Sequence, residues 1–311
     1  MVRARERRLH PSALTGKETG MTGTFDFGGD IVWRPSQDDI ARSNLNAFMH
    51  EHGIASFDDL MRRSTKDVAW FTDAVLRFID IRFSKPYSRV VDLDAGIPFP
   101  RWCVDGEMNI VSNCVDKWAA DASYRSRLAF IWEGEEGTVR HIRYGELADA
   151  VNRCANALRR MSFGKGDVIG LYMPMTPEIV IALFAIAKIG GIILPLFSGY
   201  GESAVASRLK DADAAGLFTS DGFFRRGEVV DLKRVTDAAL RNTPGVRHVI
   251  VLRRTGHEVP MQAGRDYWWH DLMSQPDIKS ECEPEVLDSE DPLFILYTLS
   301  LIHISEPTRP Y

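Results

Sequence analysis

Arg225-Arg226-Gly227-Glu228 is the stretch of this chain best suited to grip a phosphate. A guanidinium pairs bidentately with phosphate oxygens, and glycine lets the backbone approach closely. The same spacing also suits a solvated basic turn. Arg253-Arg254-Thr255-Gly256 repeats the pattern and reads first as such a turn. Ser198-Gly199-Tyr200-Gly201 follows an apolar run at 192–197. That is the strand end at which α/β proteins place ligand loops, although a plain connection fits equally. Trp268-Trp269-His270-Asp271 sets a histidine beside a carboxylate. No partner ligands lie at helical spacing, so packed aromatics with a satisfied histidine are the better reading. Gly190-Gly191 follows a helix and reads as its cap. No Ser-His-Asp or Cys-His set is supported by a motif.

The elements that must position these residues follow from periodicity. Ser36 suits a helix N-cap, with Ile40, Leu45, Phe48 and Met49 on an apolar face. Phe57, Leu60 and Met61 open a second helix, and Val68, Phe71, Val75, Leu76 and Ile79 mark a third. Residues 85–100 are broken by prolines and read as extended chain. Beyond them, strands are expected at 128–132, 168–173, 192–197, 216–219 and 248–252. Helices are expected along the Leu147–Val151–Cys154–Leu158–Met161 stripe, ended by Gly164 and Gly166, and at 177–189, 204–209 and 232–240. Alternating strands and helices predict an α/β fold, a mostly parallel sheet with helices on both faces, preceded by a mainly helical N-terminal extension. The apolar run 291–298 predicts one further strand.

Composition narrows the class. The chain has 311 residues, 45% hydrophobic and 26% charged, which is ordinary for a globular protein. A net charge of −5 gives no electrostatic reason to expect nucleic acid or a membrane surface as partner. Arg3, Arg5, Arg7 and Arg8 precede no apolar core, so the N-terminus does not read as a secretory signal. It reads either as a short irregular arm or as sequence upstream of a start at Met21. Cys103, Cys114, Cys154 and Cys282 fit neither CxxC nor zinc spacing, and free thiols in a cytoplasmic setting are expected, with Cys154 in a packing role.

Several stretches resemble one family when taken together and in order. They are Asn113-Cys114-Val115-Asp116, Ile131-Trp132-Glu133-Gly134, Gly164-Lys165-Gly166-Asp167 and Tyr172-Met173-Pro174-Met175-Thr176-Pro177-Glu178. Gly264-Arg265-Asp266-Tyr267-Trp268-Trp269-His270-Asp271-Leu272 and Asp291-Pro292-Leu293-Phe294-Ile295-Leu296-Tyr297-Thr298 complete the set. Over roughly residues 55–298 the chain resembles the N-terminal half of an AMP-forming acetyl-CoA synthetase, within the acyl-adenylate-forming superfamily. The resemblance implies an acid–thiol ligase that uses ATP, Mg²⁺ and coenzyme A. A short carboxylate such as acetate would be activated as an acyl-adenylate and passed to the thiol. It implies contact between the phosphates of coenzyme A and the segment Arg225, Arg226, Gly227 and Glu228. Arg225 matches the first of two family arginines, and Glu228 stands where the second is expected. Gly199 matches a glycine that lets coenzyme A pass the backbone, with Ser198 replacing a companion glycine. The wording of residues 194–201 departs from the usual one and suggests a divergent branch, so acetoacetyl- or propionyl-CoA synthetase is an alternative. Trp33-Arg34-Pro35-Ser36 and Ile40-Ala41-Arg42 faintly resemble the acetoacetyl branch. A non-catalytic coenzyme A-binding or interaction module is the other alternative.

The resemblance further implies a Ser/Thr/Gly-rich loop for the ATP phosphates, beginning at Thr298. Leu299-Ser300 stands in its place, and residues 299–311 hold neither glycine nor lysine. The stretch 299–309 resembles the in-frame translation of a transposon-end adapter used in sequencing libraries. The expected organisation is therefore an irregular segment at 1–35, the synthetase-type extension at 36–125, the first part of the AMP-binding domain at 126–298 and a foreign tail at 299–311. No catalytic residue is assigned within the chain, no metal ligand is assigned, and a chain ending this way is expected to be inactive as a ligase.

Overall fold

The computed structural model describes residues 33–297; Thr298, the tail after it and the arginine-rich N-terminus lie outside the described residues. The chain divides into two compact units, Met1–Arg62 and Arg63–Tyr311.

In the first unit, helix α1 (Gln37–Ala41) starts at a reciprocal cap. The Ser36 hydroxyl accepts from the Asp39 N–H at 3.2 Å, and the Asp39 carboxylate accepts from the Ser36 N–H at 3.0 Å. The single helix expected from Ser36 is two helices, because Ser43 caps a new one, α2 (Asn44–Glu51), through the Asn46 N–H. Ser43 competes for local backbone bonds and so favours a restart over continuation. Helix α3 (Phe57–Lys66) begins where Ser56 accepts from the Asp59 N–H, and the division between the units falls within it.

The second unit opens with α4 (Val68–Phe78), capped by Asp67. The proline-broken stretch contains a strand after all: β1 (Arg89–Asp92) pairs antiparallel with β2 (Arg101–Val104). A wide helical turn at Ser112–Asp116 leads into α5 (Lys117–Ala120). Strand β3 (Leu128–Glu133) then pairs with β4 (Val139–Arg143), which runs into α6 (Tyr144–Arg160). Helix α6 stops before Gly164, with Ser162 already in the left-handed region at φ 62°. The turn is thus made by a small polar residue rather than by the glycines.

The alternating core follows as β5 (Val168–Leu171), α7 (Pro177–Lys188), β6 (Ile192–Pro195), α8 (Glu202–Asp211) and β7 (Gly216–Ser220). A hairpin of β8 (Gly222–Arg225) and β9 (Glu228–Asp231) comes next, then α9 (Leu232–Leu240), β10 (His248–Leu252), β11 (Asp266–Trp268) and α10 (Trp269–Met273). The sheet order is β11-β10-β7-β5-β6, all parallel. The expected last strand lies along the β6 edge: Ile193 donates to Leu293 O at 3.0 Å and accepts from the Ile295 N–H at 2.9 Å, forming a single parallel bridge.

Side chains alternate across this sheet, as strand geometry requires. Ile169, Leu171, Phe218, Ile250 and Leu252 pack in one core with Val151, Cys154 and Leu158 of α6 and Ala182 and Ile186 of α7. Leu217, Val249 and Val251 pack in the other with Leu209 of α8 and Leu232 and Leu240 of α9. Burial pushes the Cys154 thiol far above its ordinary value, so it packs as an apolar group.

A buried ionic cluster fastens α9 to β11. The Lys233 ammonium, fully buried, bonds Asp237 at 2.8 Å, Asp266 at 2.9 Å and the Pro260 carbonyl at 2.9 Å. Arg265 adds 2.6 Å and 2.7 Å contacts to Asp266 and Asp237. Burial alone would raise the Asp266 carboxyl, but the bonds from Arg265, the Gln262 N–H and Lys233 together hold it below 3.8.

Removing one member of such a cluster leaves an uncompensated buried charge. Lys233→Ala should cost ~3 kcal/mol in urea unfolding. A carboxyl depressed in the folded state adds stability that is complete above its unfolded value and fades as pH falls through the folded one. The stability gap between wild type and Asp266→Asn should therefore narrow below pH 3.8.

Candidate active-site cleft

The carboxyl ends of β5, β6, β7 and β10 release four connections: 172–176, 196–201, the β8–β9 hairpin and 253–258. A cleft of about 280 Å³ opens among them, lined by Trp132, Glu135, Met175, Ser198, Phe223, Arg225 and Arg254, among others. Strand β3 reaches this end of the sheet, and the Trp132 indole N–H donates to Met175 O at 2.7 Å.

Asp221 organises this edge. It lies just past β7 and is fully buried. Its carboxylate accepts from the N–H groups of Gly222 at 2.7 Å, Arg254 at 2.8 Å, Thr255 at 3.1 Å and Gly256 at 2.7 Å. One carboxylate thus curls the loop after β10 against the start of the hairpin. The Arg254 side chain is thereby aimed at the turn between β3 and β4, where it bonds the two carboxylate oxygens of Glu136 at 2.6 and 2.7 Å. That bond is the main reason the Glu136 carboxyl lies below its ordinary range. The guanidinium also sits 4.9 Å from the Phe224 ring centre and 5.3 Å from that of Trp132.

Of the residues expected to carry binding, Arg225 lines the cleft at the end of β8. Arg226 and Gly227 form the tip of the hairpin, with φ of 53° and 81°. This is the paired left-handed geometry of a two-residue hairpin turn, and a glycine meets it without steric cost. Glu228 opens β9 directly opposite Arg225. The Gly227 N–H donates to Glu135 Oε1 at 2.9 Å, so the hairpin tip is pinned to the β3–β4 turn.

Gly199 lies in the connection after β6. A β-carbon there would stand 2.4 Å from the Phe197 ring, so the loop is shaped around a bare backbone. The loop is held from below: the buried Tyr172 hydroxyl donates to Tyr200 O at 2.6 Å, and burial pushes its pKa up to about 12. Ser198 faces the same cleft as Arg225. Of Trp268-Trp269-His270-Asp271, Trp269 is buried 5.7 Å from Phe218 and Trp268 is half-buried against the opposite core, whereas His270 is exposed beside Arg253 and Arg254. Thr298 lies outside the described residues; Tyr297, just before it, is held by Asp211 and lies 5.2 Å from the Arg208 guanidinium.

Asp221 was absent from the sequence expectations, and Glu135 and Glu136, readable as a polar turn, had no site role in them. For Asp221 the signal was available: Asp-Gly directly after an apolar strand marks a turn whose carboxylate can cap backbone donors.

The donor set fits an anionic ligand at one place. Among the described residues Arg225 and Arg226 form no ion pair, and both directly precede the glycine of the turn. The described residues contain no grouping of three or more His, Cys, Asp or Glu side chains able to hold a metal ion. No described helix is long and apolar enough to cross a membrane.

A parallel sheet covered on both faces, with a cleft beyond its strand ends, is the doubly wound α/β arrangement that places ligands at that end of the sheet. Comparison with known proteins agrees. Residues 116–298 match the family model described as AMP-binding enzyme, and residues 57–114 match the acetyl-coenzyme A synthetase N-terminus. The chain belongs to the AMP-binding enzyme family. Similar proteins include the acetyl-coenzyme A synthetases of Streptomyces avermitilis, 38% identical over 85% of this chain and 38% of that protein, and of Rhodopirellula baltica, 42% identical over 86% and 39%. Among solved structures, acetoacetyl-CoA synthetase from Streptomyces lividans superposes with a TM-score of 0.77 at 26% identity, over 86% of this chain and 41% of that one. The chain thus spans about two fifths of the length of these relatives.

Replacing Asp221 by alanine would strand four N–H donors at once, one of them buried and the rest at the edge of the interior. Asp221→Ala should lower unfolding stability by at least ~3 kcal/mol, read as a shift of the urea midpoint with unchanged slope.

Proposed function

We propose that this chain is the N-terminal part of an AMP-forming acid–thiol ligase, a cytoplasmic enzyme that joins a short carboxylate, acetate or a close relative, to coenzyme A. The observation that carries this reading is the succession of the two adjoining family matches, 57–114 and 116–298, over most of the extension and the whole parallel sheet. In this reading residues 36–125 form the synthetase-type extension and 126–298 the first part of the AMP-binding domain.

The reaction needs the carboxylate held in line with the α-phosphate of ATP, and Mg²⁺ would neutralise the developing charge. Those groups are assigned to sequence that follows Thr298 in relatives. The described residues serve the second half-reaction. Arg225 and Arg226 bind the phosphates of coenzyme A, Gly227 lets them approach, and Gly199 clears the path of the thiol arm. Glu228, opposite Arg225, lowers the net positive charge of the turn, so the arginines have less electrostatic reach than a pair without it would have.

A second reading is that the acid is acetoacetate. It is favoured by the superposition on an acetoacetyl-CoA synthetase.

Amplifying genomic DNA past the codon for Thr298 tests the ligase assignment directly. A downstream Ser/Thr/Gly loop ending in Pro-Lys-Gly is the expected result, and a stop codon after Tyr311 in the native gene would instead favour a coenzyme A-binding module. In the restored full-length enzyme, Arg225→Ala should raise KM for coenzyme A about tenfold, the scale of one charge-assisted contact, while leaving ATP–pyrophosphate exchange unchanged. Exchange assays with acetate and with acetoacetate would separate the two substrate readings. The 311-residue chain itself is expected to catalyse no exchange.

A further inference from the structure

The turn that joins β3 to β4 carries two carboxylates, Glu135 and Glu136, just past Glu133 at the end of β3, and both reach across the cleft. Glu136 grips Arg254, whose backbone is fixed by the buried Asp221. Glu135 takes the Gly227 N–H, the outward donor at the tip of the β8–β9 hairpin, and lines the same cleft as Arg225. A phosphate gripped by Arg225 and Arg226 would want that same N–H, because it is the backbone donor that the left-handed turn turns outward. The position is already filled by an anion that the chain itself provides.

We propose that Glu135 is an internal competitor for the ligand phosphate at the Arg225–Gly227 turn, and that it sets the affinity of the cleft. This rests on the assignment of the turn to the phosphates of coenzyme A. Phosphate entry exchanges one charge-assisted bond to the Gly227 N–H for another and releases the Glu135 side chain into solvent. Glu136, held by two bonds to Arg254, keeps the turn in place while Glu135 swings away. Only the one side chain needs to move. The competition disfavours ligands that bring a single weak anion and favours those whose phosphate engages both arginines as well as the N–H.

Titration of the 311-residue chain with coenzyme A in a calorimeter tests this. Glu135→Ala and Glu135→Gln should each tighten binding about threefold to tenfold, the scale of one charge-assisted hydrogen bond, while Arg225→Ala weakens it. The glutamine variant keeps the side-chain volume and serves if the alanine variant folds poorly; thermal melts of both report that. Binding that is unchanged or weaker in both Glu135 variants, with Arg225→Ala still weaker than wild type, overturns the competition and leaves the coenzyme A assignment standing. Absence of coenzyme A binding by every form at millimolar concentration overturns both.

Discussion

The cleft depends on one buried carboxylate. Asp221 is fully enclosed where β7 ends, and its oxygens satisfy N–H groups from the hairpin start and from three consecutive residues after β10. A carboxylate in that position would be costly without partners, and backbone donors turned towards the interior would also be costly without an acceptor. Each resolves the other. The result is a rigid corner that joins two strands of the sheet and leaves Arg254 facing the β3–β4 turn. The Asp221 carbonyl adds bonds from the Leu232 and Lys233 N–H groups, so the start of α9 is fixed to the same point. The Lys233 cluster then continues the chain of anchors to β11. Positioning at the cleft is thus inherited from the interior rather than from the surface loops themselves.

How far the sequence revealed this architecture depended on the range of the interaction. Helix α9 and strand β10 were legible to the residue, because Leu232, Leu240 and the run His248–Leu252 carry strong local patterns. The doubly buried sheet was legible for the same reason: β5 is buried along its whole length and reads as an uninterrupted apolar run. Elements whose partners lie outside the local pattern were not. Strand β4 carries Arg140, His141 and Arg143 on a mostly exposed ribbon, and only pairing with β3 makes it a strand. The β8–β9 hairpin was seen only as a basic turn, because its two strands are short. Helix α6 was expected to stop at Gly164, yet Ser162 takes the left-handed conformation two residues earlier.

The site shows the same division. Arg225, Arg226, Gly227 and Gly199 were visible as residue types at the ends of apolar runs, and the structure brings Arg225 and Ser198 to one cleft. Glu135 and Glu136 were invisible, since their partners Gly227 and Arg254 are 92 and 118 positions away along the chain. Composition and periodicity hold no information at that distance. A motif reading can therefore nominate the cations of such a site but not the carboxylates that oppose them.

That opposition changes what the cleft is. A turn with adjacent arginines suggests a strongly positive phosphate grip, but here carboxylates stand among the donors and only Arg226 is left with none beside it. Arg254 is bound by Glu136, Arg225 lies across from Glu228, and the Gly227 N–H is held by Glu135. Long-range attraction for an anion is correspondingly reduced, because each carboxylate offsets a nearby positive group and salt screens the remainder beyond a Debye length, about 8 Å at physiological salt. Discrimination must then come from short-range geometry: whether a ligand can satisfy the guanidinium and the backbone donor together at the point where the carboxylates now sit. A neutralised, tightly braced cleft of this kind recognises shape and bond direction before it recognises charge.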